Sequence, residues 1–238
     1  MRFNLVLTFI AITIVLAGCQ MSNENLSGQT EGEQEELKPA DMDEKDLPDV
    51  RAFQDEFTRE FLQSTEETRP GYYPFLSGTG AYEMDFPEEG EIGEKSYNIK
   101  DKSYEAIMIS EGNEDSKVPH NITITYYNHL EQIHKDSRLG QIQSEVGETL
   151  DFEEIEKDNE TFYISPFQYD KETSKDDVYG YAALILNNKN LGGVQIVYTS
   201  YCVKDCDSLK EKDKQLAAEW IHSITFIEST KKSGQDEE

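Results

Sequence analysis

Two thiols close together are the first residues that could do chemistry. Cys202 and Cys206 are separated by three residues, and the third cysteine, Cys19, lies far upstream. In an oxidising compartment such a pair closes a small disulfide loop, for which chain entropy gives about 2 kcal/mol. Free thiols and a redox or metal role are the alternatives, although redox pairs favour C-x-x-C spacing. The histidines are His120, His129, His134 and His222. His129 and His134 are five apart, off the i,i+4 spacing that sets two ligands on one helix face. All four read as surface or helix-end residues; if the chain is an enzyme, Cys202 and Cys206, or an acid with His120, are the first suspects. The acidic run DMDEKDLPDV at 41–50 lacks the glycine turn and closing glutamate of a calcium loop. GEIGEKS at 90–96 fails as a phosphate loop, because Glu94 separates Gly93 from Lys95. No G-x-S-x-G or H-E-x-x-H occurs. No catalytic constellation, dedicated metal site or cofactor is therefore expected.

Tyrosine is the residue type most suited to recognition here. Tyr126, Tyr127, Tyr163, Tyr169, Tyr179, Tyr181, Tyr198 and Tyr201 fall on or beside strand-like segments. Their phenol tips could line a groove for a glycan or peptide, with Tyr127, Tyr179, Tyr181 and Tyr201 as the candidate binding face. Ordinary strand packing with wet tips is the alternative.

The 238 residues carry 49 acids against 22 Lys and Arg, a net charge of −27. Such a chain repels nucleic acid and anionic headgroups, and no nucleic-acid partner is expected. The apolar run at 5–15 is too short for the roughly 20 residues that span a bilayer. Behind Arg2 it has the form of a secretory signal core. It ends in Leu16-Ala17-Gly18-Cys19, which resembles the bacterial lipobox. That resemblance implies diacylglycerol on Cys19, cleavage before it, and a position outside the cytoplasm at the cell membrane. Two or more acyl chains give the stable anchoring that one chain does not. With the acidic stretch that follows, the pattern also resembles the small lipoproteins of Gram-positive bacteria. Residues 1–18 are thus the expected signal peptide, and 19–45 a lipidated, disordered acidic tether with few large apolar residues. Residues 46–228 form the expected single domain, and 229–238 a disordered tail.

Within the domain, DLPDVRAFQDEFTREFLQSTEE at 46–67 predicts a helix with Val50, Phe53, Phe57 and Phe61 on one stripe. Strands are predicted over GAYEMDFP at 80–87, SYEAIMIS at 103–110 and NITITYY at 121–127, the second as an interior strand because Ala106 to Ile109 are all apolar. A helix follows at 128–141, with Asn128 and Glu131 spaced as a capping box over a thin face of Leu130 and Ile133. TLDFEEIEK and ETFYISPFQY pair around Asp158-Asn159, and VYGYAALILN and GGVQIVYTSYC pair through an Asn-rich loop. The last helix starts with Ser208 and Glu211 as a capping box and buries Leu209, Leu216, Trp220 and Ile224. Hairpin links imply an antiparallel sheet of six or seven strands flanked by helices, an α+β fold. The strand AYEMDFP closed by Phe86-Pro87, and the late helix running into WIHSITF, resemble the two ends of PsbP-like domains. The resemblance implies an α/β/α sandwich and a membrane-associated binding or assembly role. The expected function is a non-catalytic binding or assembly module in the cell envelope, with an envelope protein or cell-wall ligand as partner. An envelope enzyme or a solute-binding receptor are the alternatives.

Overall fold

Asp55 breaks the first expected helix in two. The computed structural model describes residues 37–113, 115–131, 134–169 and 177–228. In it, α1 (Arg51–Gln54) and α2 (Glu56–Arg59) are single turns, and Asp55 between them is extended with its carboxylate capping the Thr58 N–H. A free carboxylate that close to open N–H groups competes with helix continuation. The stripe still points inward: Phe53 and Phe61 are buried, and Val50 and Phe57 pack against them. Signal, Cys19 and residues 20–36 lie outside the described residues, as do 229–238. The last stretch of the expected tether, 37–45, is described, and it contains the 3-10 turn Pro39–Asp41, with Pro39 buried, and the start of a second at Glu44–Asp46.

Eleven strands follow among the described residues. A large antiparallel sheet holds β3 (Gly90–Ile92), β4 (Asn98–Lys100), β5 (Tyr104–Glu111), β6 (His120–Tyr127), β7 (Glu153–Lys157), β8 (Glu160–Gln168), β9 (Asp177–Asn187) and β10 (Gly193–Cys202). Its order is β3-β5-β6-β10-β9-β8-β7, and β4 pairs with the same edge of β5 as β3 does. These two three-residue strands lift the count to eight, above the six or seven expected. A second sheet, also unforeseen, orders as β1-β2-β11, from β1 (Tyr72–Leu76), β2 (Tyr82–Pro87) and β11 (Thr225–Phe226). The class is α+β, with hairpin links and helices on the sheet faces.

The large sheet separates two cores. On one face, Ile107, Ile109, Ile122, Ile124, Ile185 and Ile196 meet the small sheet, α1, α2 and the last helix α4 (Cys206–Ile221). On the other, Tyr163, Phe167, Leu184 and Leu186 meet Ile142 and Val146 of α3 (Lys135–Val146). β5 is interior in the sheet, yet its burial alternates: Ile107 and Ile109 are buried while Ala106 and Met108 are partly exposed. The reason is that α3 contacts β9 and β10 and leaves the β5 side of its face open. The helix itself starts after His134, later than Asn128 and Glu131 would set it, and Ile133 lies outside the described residues. Leu130 is buried all the same.

α4 also sits in a different register from the expected one. It begins at Cys206 behind left-handed Asp205, and Ser208 donates to the Asp205 carbonyl instead of forming a capping box. Asp213, Ala217, Trp220 and Ile221 face inward, and Leu216 is 37% exposed.

One glycine is fixed by close approach. A Cβ on Gly180 would lie 1.8 Å from the Tyr198 carbonyl oxygen of the paired strand. Backbone cannot yield as a side-chain tip can. Gly180→Ala should therefore cost about 3 kcal/mol or more, read as a lowered denaturation midpoint. A variant within about 0.5 kcal/mol of wild type would show that β9 and β10 do not approach so closely.

Candidate functional site

The polar centre of the molecule forms where β5, β6 and α4 meet. Glu111 and His120 are cross-strand partners at the ends of β5 and β6. His120 Nδ1 lies 3.1 Å from Glu111 Oε2, and Nε2 lies 2.8 Å from Asp213 Oδ1. Asp213 reaches this position because α4 turns it inward. The three side chains are 19%, 12% and 10% exposed for Glu111, His120 and Asp213. The Tyr198 ring packs on the imidazole and touches Trp220 on its other side.

Burial alone would favour neutral imidazole. Here the hydrogen bonds and charges of Asp213 and Glu111 outweigh that penalty and raise His120 to about 9. In the same way, burial pushes Asp213 upward, and the hydrogen bond and charge of His120 overcome it and hold the carboxyl below its ordinary value. The Ser200 and Tyr179 hydroxyls favour the same carboxylate, without reaching regular hydrogen-bond geometry with it. A histidine that is protonated at neutral pH, with both nitrogens engaged by carboxylates, has no lone pair to offer as a general base. The cluster fastens α4 to the sheet; its geometry does not suit proton abstraction.

A second buried acid has a similar character. Glu105 is fully enclosed, accepts from the Gly78 N–H at 2.7 Å and from the Tyr97 hydroxyl at 3.0 Å, and is pushed upward by burial. It anchors the loop before β2. Both acids were missed in sequence. The signal for Glu105 was its alternation with Ile107 and Ile109, and for Asp213 its place four and seven residues before Ala217 and Trp220.

The other candidate residues disperse. Cys202 and Cys206 are joined, with Cα atoms 5.7 Å apart, across the corner between β10 and α4. Tyr127 and Tyr201 lie on the α3 face of the sheet, whereas Tyr179 and Tyr181 lie on the α4 face. The four therefore do not line one groove, because odd and even positions of a strand point to opposite sides and the strand pairing fixes which is which. Tyr179 is fully buried beneath Lys210. Tyr126 and Tyr198 belong to the α4-side core, and Tyr163 to the α3-side core. Tyr169 donates to the Val146 carbonyl at the end of α3. Contrary to the surface reading, His120 is nearly enclosed; His129 and His134 are exposed, and His222 ends α4.

Among the described residues no group of three His, Cys, Asp or Glu is placed to hold a metal ion. A cavity of about 680 Å³ opens between β7 and the β9–β10 loop. Its polar walls bond among themselves, as where Thr161 donates to Asn188 Oδ1 at 3.0 Å.

Comparison with known sequences gives one family and one curated relative. The profile of a family described as "Putative lipoprotein YvcA" matches residues 48–225. A Bacillus subtilis (strain 168) protein of the same description is 30% identical over 235 residues, covering 92% of this chain and 95% of that protein. Solved structures with a similar course include the Saccharomyces cerevisiae Ran-binding protein Mog1p, 13% identical with a TM-score of 0.44, over 65% of this chain and 94% of that one. A single-residue variant of protein Mog1 gives 12% identity and a TM-score of 0.43, over 66% and 97% of the two chains.

Proposed function

The chain belongs to the family described as "Putative lipoprotein YvcA", and from that membership we propose a lipid-anchored module that binds or assembles in the cell envelope without catalysing a reaction. The observation that carries the reading is Leu16-Ala17-Gly18-Cys19 directly behind the short apolar run at 5–15, in a chain of a lipoprotein family. Cys19 would bear the acyl chains, which hold the protein at the outer face of the membrane. No helix among the described residues is long and apolar enough to cross a membrane. The acidic stretch from Gln20 onward would act as a spacer, and charge repulsion would extend it. The closed ion cluster at His120 and the joined Cys202 and Cys206 supply no free base or thiol for the enzymatic alternative.

Detergent partitioning of wild type against Cys19→Ser tests the anchor. Wild type should enter the detergent phase and the variant should stay in the aqueous phase or keep its uncleaved signal. Equal partitioning of both, with the signal uncleaved, sinks the anchor. Cross-linking in the native membrane tests the rest. An envelope partner captured equally by wild type and His120→Gln supports a binding module. Loss of a cellular phenotype in His120→Gln, with the fold intact by circular dichroism, would overturn it in favour of an enzyme.

A further inference from the structure

At the far end of β5 and β6 from His120, the open part of the α3 face carries an aromatic shelf. Tyr104 and Tyr127 are cross-strand partners. Their rings meet edge-on, with centroids 5.4 Å apart at 63°. His129 approaches Tyr127 at 6.4 Å and 83°. Arg138, in the first turn of α3, lays its guanidinium over the Tyr127 ring at 3.9 Å and donates to Gln141 Oε1 at 2.9 Å. Tyr104, Tyr127 and Arg138 are partly exposed and His129 is exposed.

The pairing of Arg138 is unusual for this chain. Arg51, Arg59 and Arg69 meet carboxylates at 2.7, 3.8 and 2.6 Å. Arg138 is the one described arginine with no ion pair among the described residues. In a protein of net charge −27, with Asp136 two residues away and Glu131 nearby in sequence, a carboxylate was easy to supply. Stacking on Tyr127 fixes the guanidinium plane while its outer N–H groups remain able to grip two oxygens at once.

We propose that Tyr104, Tyr127, His129 and Arg138 form a binding shelf for an anionic glycan, a sugar chain bearing carboxylate groups. This rests on reading the protein as an envelope binding module, and names its ligand class. Tyrosine rings take the apolar face of a sugar and their hydroxyls its polar rim. The guanidinium supplies the charged contact. Thr125 on β6 extends the partly exposed face with a further hydroxyl. An open shelf suits a chain laid across it, whereas a compact apolar ligand needs an enclosing pocket. An extended anionic membrane fits less well, because its many charges act together against the net charge of the whole protein. A short acidic oligosaccharide carries far fewer charges than a membrane surface, and one of its carboxylates can meet the local cation.

The test titrates the full chain with a hexamer of galacturonate, a hexamer of neutral galactose, and phosphatidylglycerol vesicles. The acidic hexamer should bind at least about tenfold tighter than the neutral one. That advantage should shrink as salt rises from about 0.05 to 0.5 M. Arg138→Gln and Tyr127→Ala should each weaken acidic-hexamer binding about tenfold or more, Arg138→Gln with a melting temperature near wild type. Tyr201→Ala, at the other end of the same face, should leave it unchanged. Equal affinity for both hexamers, insensitivity to Arg138→Gln and Tyr127→Ala, or binding to vesicles alone would each overturn the proposal. So would no binding of either hexamer, and that result would leave the anchoring of Cys19, read by detergent partitioning, untouched.

Discussion

His120→Ala is expected to lower stability at pH 6 by about 3 kcal/mol or more, because it leaves Glu111 and Asp213 buried together without their cation. The pH dependence is the sharper test. In the folded chain His120 is raised to about 9, against an unfolded value of about 6.5. A raised histidine stabilises fully below its unfolded value and loses that contribution as pH climbs through its folded one. At 1.36 kcal/mol per pH unit the interval amounts to about 3 kcal/mol. Wild type should therefore lose about that much more stability than His120→Ala between pH 6 and 10. Asp213 has the opposite sign: its lowered value adds stability above the ordinary carboxylate range, lost as pH falls through the folded value. Other groups titrate too, Glu105 and Glu160 among them. Subtracting the variant's urea-denaturation curve from the wild-type curve isolates the histidine. Parallel curves across the alkaline range would mean that the imidazole is not held charged by its two acids.

Trp220→Ala should cost about 4 kcal/mol. Trp220 is 1% exposed. It packs against Tyr198, and its indole N–H donates to the Asp85 carbonyl of β2 at 2.8 Å. Three residues on, the Ser223 hydroxyl accepts from the Asp85 N–H. Together they close the edge of β2 beyond the reach of β11. Removing the indole opens a cavity between α4 and both sheets and orphans a buried carbonyl. Trp220→Phe keeps most of the packing, and should cost only about 1–2 kcal/mol for the lost hydrogen bond. Because Trp220 is the only tryptophan, circular dichroism must replace fluorescence as the probe. A loss under about 1 kcal/mol for the alanine variant would show that the small sheet stands without α4.

β2 and β6 were legible in the sequence because their apolar residues alternate, and β8, β9 and β10 because they are apolar on both faces, as strands between two cores must be. β2, β6, β8, β9 and β10 fall within a few residues of their expected positions. The short strands β3, β4 and β11 were not, since two or three residues carry no period and take their place from a neighbouring edge. The first helix failed on one residue. Asp55 satisfies the helical spacing as an exposed acid, and nothing in a periodicity count weighs its ability to cap the next turn. α4 failed differently. Leu216 scored as core because it is apolar, and Asp213 scored as surface because it is charged, while pairing with His120 93 residues earlier reverses both. The tyrosine face suffered from the same limit. Residue type marks a recognition candidate, but the side of the sheet depends on pairing register, which separates Tyr127 and Tyr201 from Tyr179 and Tyr181.

The outermost strand of the large sheet, β7, reads Glu-Glu-Ile-Glu-Lys from Glu153 to Lys157, and only Ile155 is partly covered. An open strand is a template for any chain that can pair with it. On a membrane, as proposed for this protein, neighbouring copies diffuse in a plane and meet repeatedly in similar orientations. Two β7 edges brought together would set glutamates against glutamates. Crowding that would drive an uncharged edge into continuous fibres would therefore drive such molecules apart, and would leave each domain free to turn on the proposed anchor.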